Sequence, residues 1–412
     1  MKAKTKILYV SQYFYPETFK GNDIVFDFVK RGYDITVLTG KPNYPKGKFF
    51  EGYNFFNKSK EEINGAKVIR TPIFPRGSGR GISLILNYIS FIFFSYFTCL
   101  FRLRGKYDLI FVQQLSPVTM ALPGLWMKKR KKIPLFLWVL DLWPESLVAN
   151  SNIKSGPIIN LIEKIVRRIY KAADVILISS KFFREAILDK CEDKSKKIVY
   201  FPNWAEDVFT QEIIKSEESL QLPEGFNVMF AGNVGDSQDF EAVVQAAVLT
   251  KNDKINWIII GDGRKLDWIK EEIASKRINN VFLLGAYPLE KMPVFFKQAD
   301  AMLVCLKDIP IFALTVPAKV QAYLASGKMI LGMLNGEGKD LINESGSGIS
   351  VNAGDYVALA DAAKHLRQKP KEDKLKLEEN SKLFYKDNFS KEKLFEKLED
   401  LFLKVSNKRQ TD

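Results

Sequence analysis

The segment LWVLDLWPES (137–146) ends an apolar run on a carboxylate. Asp141 closes the run, Trp143 and Pro144 set a turn, and Glu145 follows. Carboxylates at the carboxyl end of a buried parallel strand are well placed to act on a ligand. The chain has 1 histidine, His365, in a polar helical stretch near the C-terminus. A carboxylate is therefore the available base or charge stabiliser in the first half. Helix capping is the competing use of Asp141, and a capping or surface role that of Glu145.

Two strand-to-glycine junctions, AGNVGDSQ (231–238) and GDGRK (261–265), carry a second chemistry. Glycine lets a ligand approach the backbone, and the helix that follows offers unpaired N–H groups to phosphate. Gly232, Gly235, Gly261 and Gly263, in successive strand–helix repeats, point to a nucleotide diphosphate site, with Arg264 beside the second junction. A third element is TVPAKVQAYLASG (315–327). Thr315 or Val316 is expected to cap a helix, and Pro317 suits its first turn. Lys319 in that turn can neutralise a phosphate at the positive end of the helix dipole; a solvated helix lysine is the plain alternative. YPETFKGND (15–23), with Gly21 near its turn, is a loop before a helix and is placed to meet a phosphate or a sugar.

Strands and helices must hold these groups. KILYVSQYF, DITVLTG, AKVIRTPI, YDLIFVQQ, IPLFLWVLD, ADVILISS and KIVYFPN read as strands up to residue 201, mostly separated by helical patterns. After a linker-like stretch at about 204–224 the alternation restarts with FNVMFAGNVG, INWIIIGDG, VFLLGAY, AMLVCLKD and KMILGML. The expected fold is α/β, with two Rossmann-like, doubly wound domains in tandem facing a central cleft. Expected bounds are 1–205 for the first domain, 206–380 for the second, and 381–412 for a closing helical segment.

The charge is uneven. Residues 1–205 hold 34 Lys and Arg against 16 Asp and Glu, and the remainder 28 against 32. A one-sided basic field suits an anionic partner such as lipid headgroups, phosphate-bearing substrates or nucleic acid. The cysteines, Cys99, Cys191 and Cys305, are far apart and odd in number, which argues against a disulfide scaffold or zinc cluster and suits a reducing compartment. The basic start has a short apolar run and Pro16, so no secretory signal is expected.

Residues 82–101, ISLILNYISFIFFSYFTCLF, carry no charge and match a bilayer in length. They fall between two strands expected in one sheet, so a span would divide that sheet. Ser83, Asn87, Ser90 and Thr98 form one narrow polar stripe on a helical wheel. Two readings stay open: a helix packed on the sheet, or one that is part core and part membrane-dipping surface. In the second, Phe93 and Phe97 meet lipid, while Arg102, Arg104, Lys128, Lys129 and Arg130 attract anionic headgroups.

The motifs YFYPETFKGND, VLTGKPNYPKG, LWVLDLWPES, FPNW, FAGNVGDSQ, GDG and TVPAKVQAYLASGK together resemble family 4 of the GT-B glycosyltransferases. The likeness covers nearly the whole chain and is greatest to the bacterial branch that builds O-antigen and capsule repeats, including N-acetyl-fucosamine transferases. It implies retaining transfer from a nucleotide-sugar without a metal ion or other cofactor. The donor, a UDP-sugar, would bind the C-terminal domain, and the acceptor the N-terminal one. The last helix, KEKLFEKLEDLFLKV, would cross back to the first domain. Asp141 stands where many members carry a catalytic histidine. Gln321, with Ala313, replaces the family's glutamate pair, and would hold the ribose without charge assistance. Asn233 and Gln238 stand at the usual phosphate-gripping Arg and Lys.

The reading is thus a glycosyltransferase for an N-acetylated hexosamine or 6-deoxyhexosamine, acting on a polyprenyl-diphosphate-linked saccharide. It would sit in the cytoplasm, attached to the inner face of the membrane. Two rivals are a nucleotide-sugar epimerase of similar shape and a basic nucleic-acid-binding protein. The apolar, basic surface counts against the first, and the lack of aromatics interleaved with Arg and Lys on exposed strands against the second.

Overall fold

A computed structural model describes residues 4–150, 156–211 and 221–411. Two units are present: residues 1–201 with 395–412, and residues 202–394. The first therefore ends a few residues before the expected boundary at 205, and the returning segment begins at Phe395 rather than at 381. Part of the expected linker, residues 212–220, lies outside the described residues.

Unit 1 runs β1 (Lys6–Val10), α1 (Lys20–Lys30), β2 (Asp34–Gly40), β3 (Lys60–Ile63), β4 (Ala66–Thr71), α2 (Gly81–Phe101), β5 (Leu109–Gln114), α3 (Leu122–Lys131), β6 (Leu135–Val139), α4 (Glu145–Asn150), α5 (Pro157–Ala172), β7 (Val175–Ile178), α6 (Phe183–Cys191) and β8 (Lys197–Tyr200). The strands form one sheet in the order β3-β4-β2-β1-β5-β6-β7-β8, parallel except for the β3–β4 pair. β5 and β6 are wholly buried, which is why they read as unbroken apolar runs. The order reverses between β1 and β5, where a doubly wound sheet opens a crevice at its carboxyl edge.

Unit 2 holds β9 (Phe226–Ala231), α7 (Phe240–Leu249), β10 (Ile255–Ile260), α8 (Leu266–Ser275), β11 (Val281–Gly285), α9 (Met292–Gln298), β12 (Ala301–Cys305), α10 (Pro310–Ala313), α11 (Ala318–Ala325), β13 (Met329–Met333), α12 (Glu337–Ser345), β14 (Gly348–Val351), α13 (Tyr356–Gln368) and α14 (Lys371–Asn388). Its sheet is parallel in the order β11-β10-β9-β12-β13-β14, so the switch point falls between β9 and β12. The last helix, α15 (Lys391–Thr411), brings Phe402 to 5.4 Å from Phe28, 5.8 Å from Phe111 and 5.0 Å from Phe136, measured between ring centres. An Arg31–Glu399 ion pair of 2.8 Å ties the same helix to the end of α1.

α2 reverses the usual amphipathic pattern. Its buried face is mainly polar: Asn87, Ser90, Ser95 and Thr98 sit with Phe91 and Cys99. Asn87 donates to Phe74 O at 2.6 Å and to Asn43 Oδ1 at 3.3 Å, and accepts from Gln12 Nε2 at 2.8 Å. Thr98 bonds Thr71 of β4 at 3.2 Å. The exposed face is apolar, with Ile82, Ile85, Leu86, Ile89, Phe93, Phe97 and Phe101 open to solvent. The helix is long and apolar enough to cross a membrane. It nonetheless joins two strands, β4 and β5, of one sheet.

Candidate functional site

In unit 2, β9 ends at Ala231 and β10 at Ile260, and both open into glycines. Gly232 has φ +134° and Gly261 φ +145°, in the region that favours glycine. A Cβ on Gly261 would strike the carbonyl of Gly232, so the two turns stack backbone on backbone. A cavity of about 380 Å³ opens beside them, lined by Gly232, Asn233, Gly261, Asp262, Tyr287 and Phe296 among others. Lys319, in the first turn of α11, also lines it. Its ammonium lies 4.7 Å from the centre of the Phe230 ring, and among the described residues it makes no hydrogen bond or ion pair. Burial lowers its pKa. An anion in the cavity would offset that desolvation.

Several expected donor residues serve the loops instead. Gly235 donates its N–H to Gln238 Oε1 at 3.1 Å, which closes the turn before α7. A Cβ on Gly263 would meet Val234 O, so that glycine allows loop against loop. Arg264 is exposed and stands 3.8 Å from Asp236. Thr315 does not cap α11: its hydroxyl donates to Phe312 O at 3.2 Å, and Pro317 takes the N-cap position without a side-chain bond. Gln321 is buried at 1% exposure, does not line the cavity, and its Oε1 has no hydrogen-bond partner. Gly21 belongs to unit 1, in the first turn of α1 rather than in the loop before it, where a Cβ would collide with the Tyr9 hydroxyl and Gln113. The aromatic wall, Tyr287 and Phe296, went unread. The signal for Tyr287 is a third strand-to-turn junction, LLGAYPLE, after β11; Phe296 lies in the helix that follows, α9.

In unit 1, Asp141 follows β6 and its carboxylate accepts from two hydroxyls, Ser116 and Ser146. Trp143 Nε1 donates to Ser116 Oγ at 3.1 Å, and Gln114 Nε2 to Asp141 O at 2.9 Å. Asp141 is therefore held by side chains from β5's loop and α4, and among the described residues it does not bond the backbone N–H groups that a helix cap would satisfy. Glu145, the second expected catalytic carboxylate, has a basic partner. It forms a 2.7 Å ion pair with Lys190, which also holds Glu163 at 3.1 Å, and this network joins α4, α5 and α6.

Around Asp141 lies an aromatic cluster. Tyr13 stands 5.0 Å from Phe19 and 5.8 Å from Tyr44 between ring centres, and its hydroxyl donates to Ser116 O at 3.4 Å. Glu17, buried at 2% exposure, ties the loops together: it accepts from Asn43 N at 2.8 Å, Tyr44 N at 2.7 Å and Phe14 N at 3.3 Å. Burial pushes its pKa up to about 7, against the pull of those N–H groups and of Arg70. Glu17 was also missed; a lone acid in the aromatic run YFYPETF was its signal. The basic surface divides likewise. Arg130 donates to the carbonyls of Cys99 and Leu100, which end α2, and Lys128 pairs with Asp174 at 2.6 Å. Arg102, Arg104 and Lys129 are exposed.

Two Rossmann-like α/β domains with parallel sheets define the GT-B class. Residues 24–204 match a glycosyl transferase 4-like domain and residues 225–369 a glycosyl transferases group 1 domain, so the chain belongs to the family-4-type GT-B glycosyltransferases. It is 31% identical over 238 residues to a probable glycosyltransferase of Pseudomonas aeruginosa, WbjE, covering 55% of this chain and 58% of that one. It is 23% identical to the putative colanic acid biosynthesis glycosyl transferase WcaI of Escherichia coli, covering 72% and 74%. Among solved structures, a sucrose-phosphate synthase from Thermosynechococcus elongatus superposes with a TM-score of 0.75 at 14% identity, covering 98% of this chain and 99% of that one. Anabaena HepE, in complex with UDP and glucose, gives 0.65 at 13%, covering 97% and 100%.

Proposed function

We propose that this protein is a retaining, metal-independent glycosyltransferase that moves an N-acetylated hexosamine or 6-deoxyhexosamine from a UDP-sugar to a lipid-linked saccharide in surface polysaccharide assembly. The observation that carries the reading is Lys319, an ammonium with no hydrogen-bonding partner among the described residues, beside the glycine turns of a mostly apolar cavity. The Tyr287–Phe296 wall suits a flat base, and Lys319 with the first turn of α11 suits a diphosphate. UDP in HepE supports uridine as the nucleoside. In unit 1, Asp141 assists the acceptor hydroxyl, and the aromatic cluster offers faces for a sugar ring.

The exposed apolar stripe of α2 and the basic ends that flank it support attachment to the inner face of the cell membrane. A thermal-shift series with UDP, GDP, ADP and CMP tests the donor. UDP is expected to raise the melting temperature most, through selective binding to the folded state. A stronger response to another nucleotide overturns the donor assignment. Transfer from UDP-sugars to diphosphate-linked mono- and disaccharides then identifies the sugar that moves.

A further inference from the structure

Arg76 has no role so far. It lies between β4 and α2, half-buried, and its backbone is fixed from both sides. Its N–H donates to Asn43 Oδ1 at 3.0 Å, and Ser83 Oγ donates to its carbonyl at 3.0 Å. The guanidinium stands 4.9 Å from the centre of the Tyr44 ring. Among the described residues it pairs with no carboxylate, although the unit holds several. Tyr44 in turn stands 5.8 Å from Tyr13 between ring centres, and the Tyr13 hydroxyl donates to the carbonyl of Ser116 at 3.4 Å. The hydroxyl of the same Ser116 donates to Asp141.

A chain of contacts therefore runs from Asp141 through Ser116 and Tyr13 to Tyr44 and Arg76, and the exposed apolar stripe of α2 begins shortly after Arg76, at Ile82. An acidic group, an aromatic platform, a planar cation and an apolar track follow one another. A saccharide joined through a diphosphate to a long alkyl chain presents the matching groups in the matching order. Guanidinium forks bind phosphate oxygens two at a time, and an arginine held on an aromatic face is already oriented to do so.

We infer that Arg76 binds the diphosphate of the acceptor, with the saccharide directed toward Asp141 and the alkyl chain along α2. This inference rests on the proposed lipid-linked acceptor and names the residue that would recognise it.

The test uses the full chain with saturating UDP, so that the donor site is filled. Binding of decyl diphosphate and of the neutral decyl glucoside is measured by tryptophan fluorescence, Trp143 being bonded to Ser116 beside Asp141. Arg76→Ala and Arg76→Gln are each expected to weaken decyl diphosphate by at least about tenfold while decyl glucoside is unchanged, with Arg76→Lys in between. Equal affinity of wild type and variants for decyl diphosphate, or equal losses for both probes, overturns the inference. So does an effect confined to flotation on phosphatidylglycerol vesicles, which makes Arg76 a headgroup contact. Thermal shift with UDP in the same samples separates the two levels. A wild type that ignores UDP sinks the proposed UDP-sugar donor, whereas UDP binding with Arg76-independent diphosphate binding sinks this inference alone.

Discussion

Lys319 and Gly232 occupy one another's space: a Cβ on Gly232 would lie 2.9 Å from Lys319 Cε and 3.1 Å from its Nζ. The lysine amine thus rests on bare backbone at the end of β9. Lys319→Ala is expected to weaken UDP binding roughly 10- to 100-fold, since a hydrogen bond to a charged group contributes about 1.5–3 kcal/mol. Gly232→Ala is expected to do so as well, because φ +134° strains any side chain and the new methyl displaces the amine. Calorimetric titration with UDP checks both; unchanged affinity in Lys319→Ala removes the lysine from the site.

Asp141→Asn is expected to lower turnover by on the order of 10²–10⁴-fold, the usual worth of a positioned acid–base group. UDP affinity should stay as in the wild type, because the cavity that would hold UDP is built from the other unit. Ser116→Ala, which removes one of the two hydroxyls on the carboxylate, should show a smaller loss. Full turnover in Asp141→Asn assigns the aspartate to loop structure.

Glu17 makes a prediction about pH. In the folded protein its carboxyl titrates near 7, against 4.5 for an ordinary glutamate, because burial disfavours the charge. The native state therefore holds this proton more tightly than the unfolded chain. The resulting stabilisation is complete below about 4.5 and is lost as pH rises through about 7. It amounts to on the order of 3 kcal/mol. Glu17→Gln, which stays neutral, should flatten the pH dependence of the urea midpoint between pH 5 and pH 8. An identical slope in both proteins would refute the assignment.

The α2 surface predicts a separable phenotype. Phe93 and Phe97 are 55% and 43% exposed, so Phe93→Ser with Phe97→Ser should leave the melting temperature nearly unchanged. The same double variant should lose flotation on phosphatidylglycerol vesicles, and high salt should weaken the wild type. Flotation that survives the double substitution places the contact elsewhere.

Much of this was readable in the chain. The fully buried strands announce themselves as apolar runs, and the glycine turns follow at their ends. β3 was not legible because KEEI is a charged edge strand with no apolar face. The polar stripe of α2 was visible, but the sequence does not say that its polar side is the packed one. That depends on Asn43, Phe74 and Gln12, which lie 44, 13 and 75 residues away from Asn87. Site partners fail for the same reason. Glu145 reads as a second catalytic acid, and its pairing with Lys190, 45 residues on, is not legible in the local sequence. Arg130 looked like a lipid contact, yet its donors go to the end of α2, 30 and 31 residues back. Residue type and local period carry the elements, and long-range pairing decides which polar groups are left for a ligand.

Asn87 bonds three separate segments from one position on α2 and is fully buried. A helix with a smooth apolar seam can roll about its axis at little cost; one pinned by an amide cannot. The pin therefore sets the azimuth of the outward stripe and, on the opposite side of the same turn, the orientation of the loops that carry Asn43 and Phe74. Any force that the stripe feels from outside is delivered through that amide to the site loops. A substitution such as Asn87→Leu would make the helix more apolar and, by releasing its azimuth, uncouple the surface from the site.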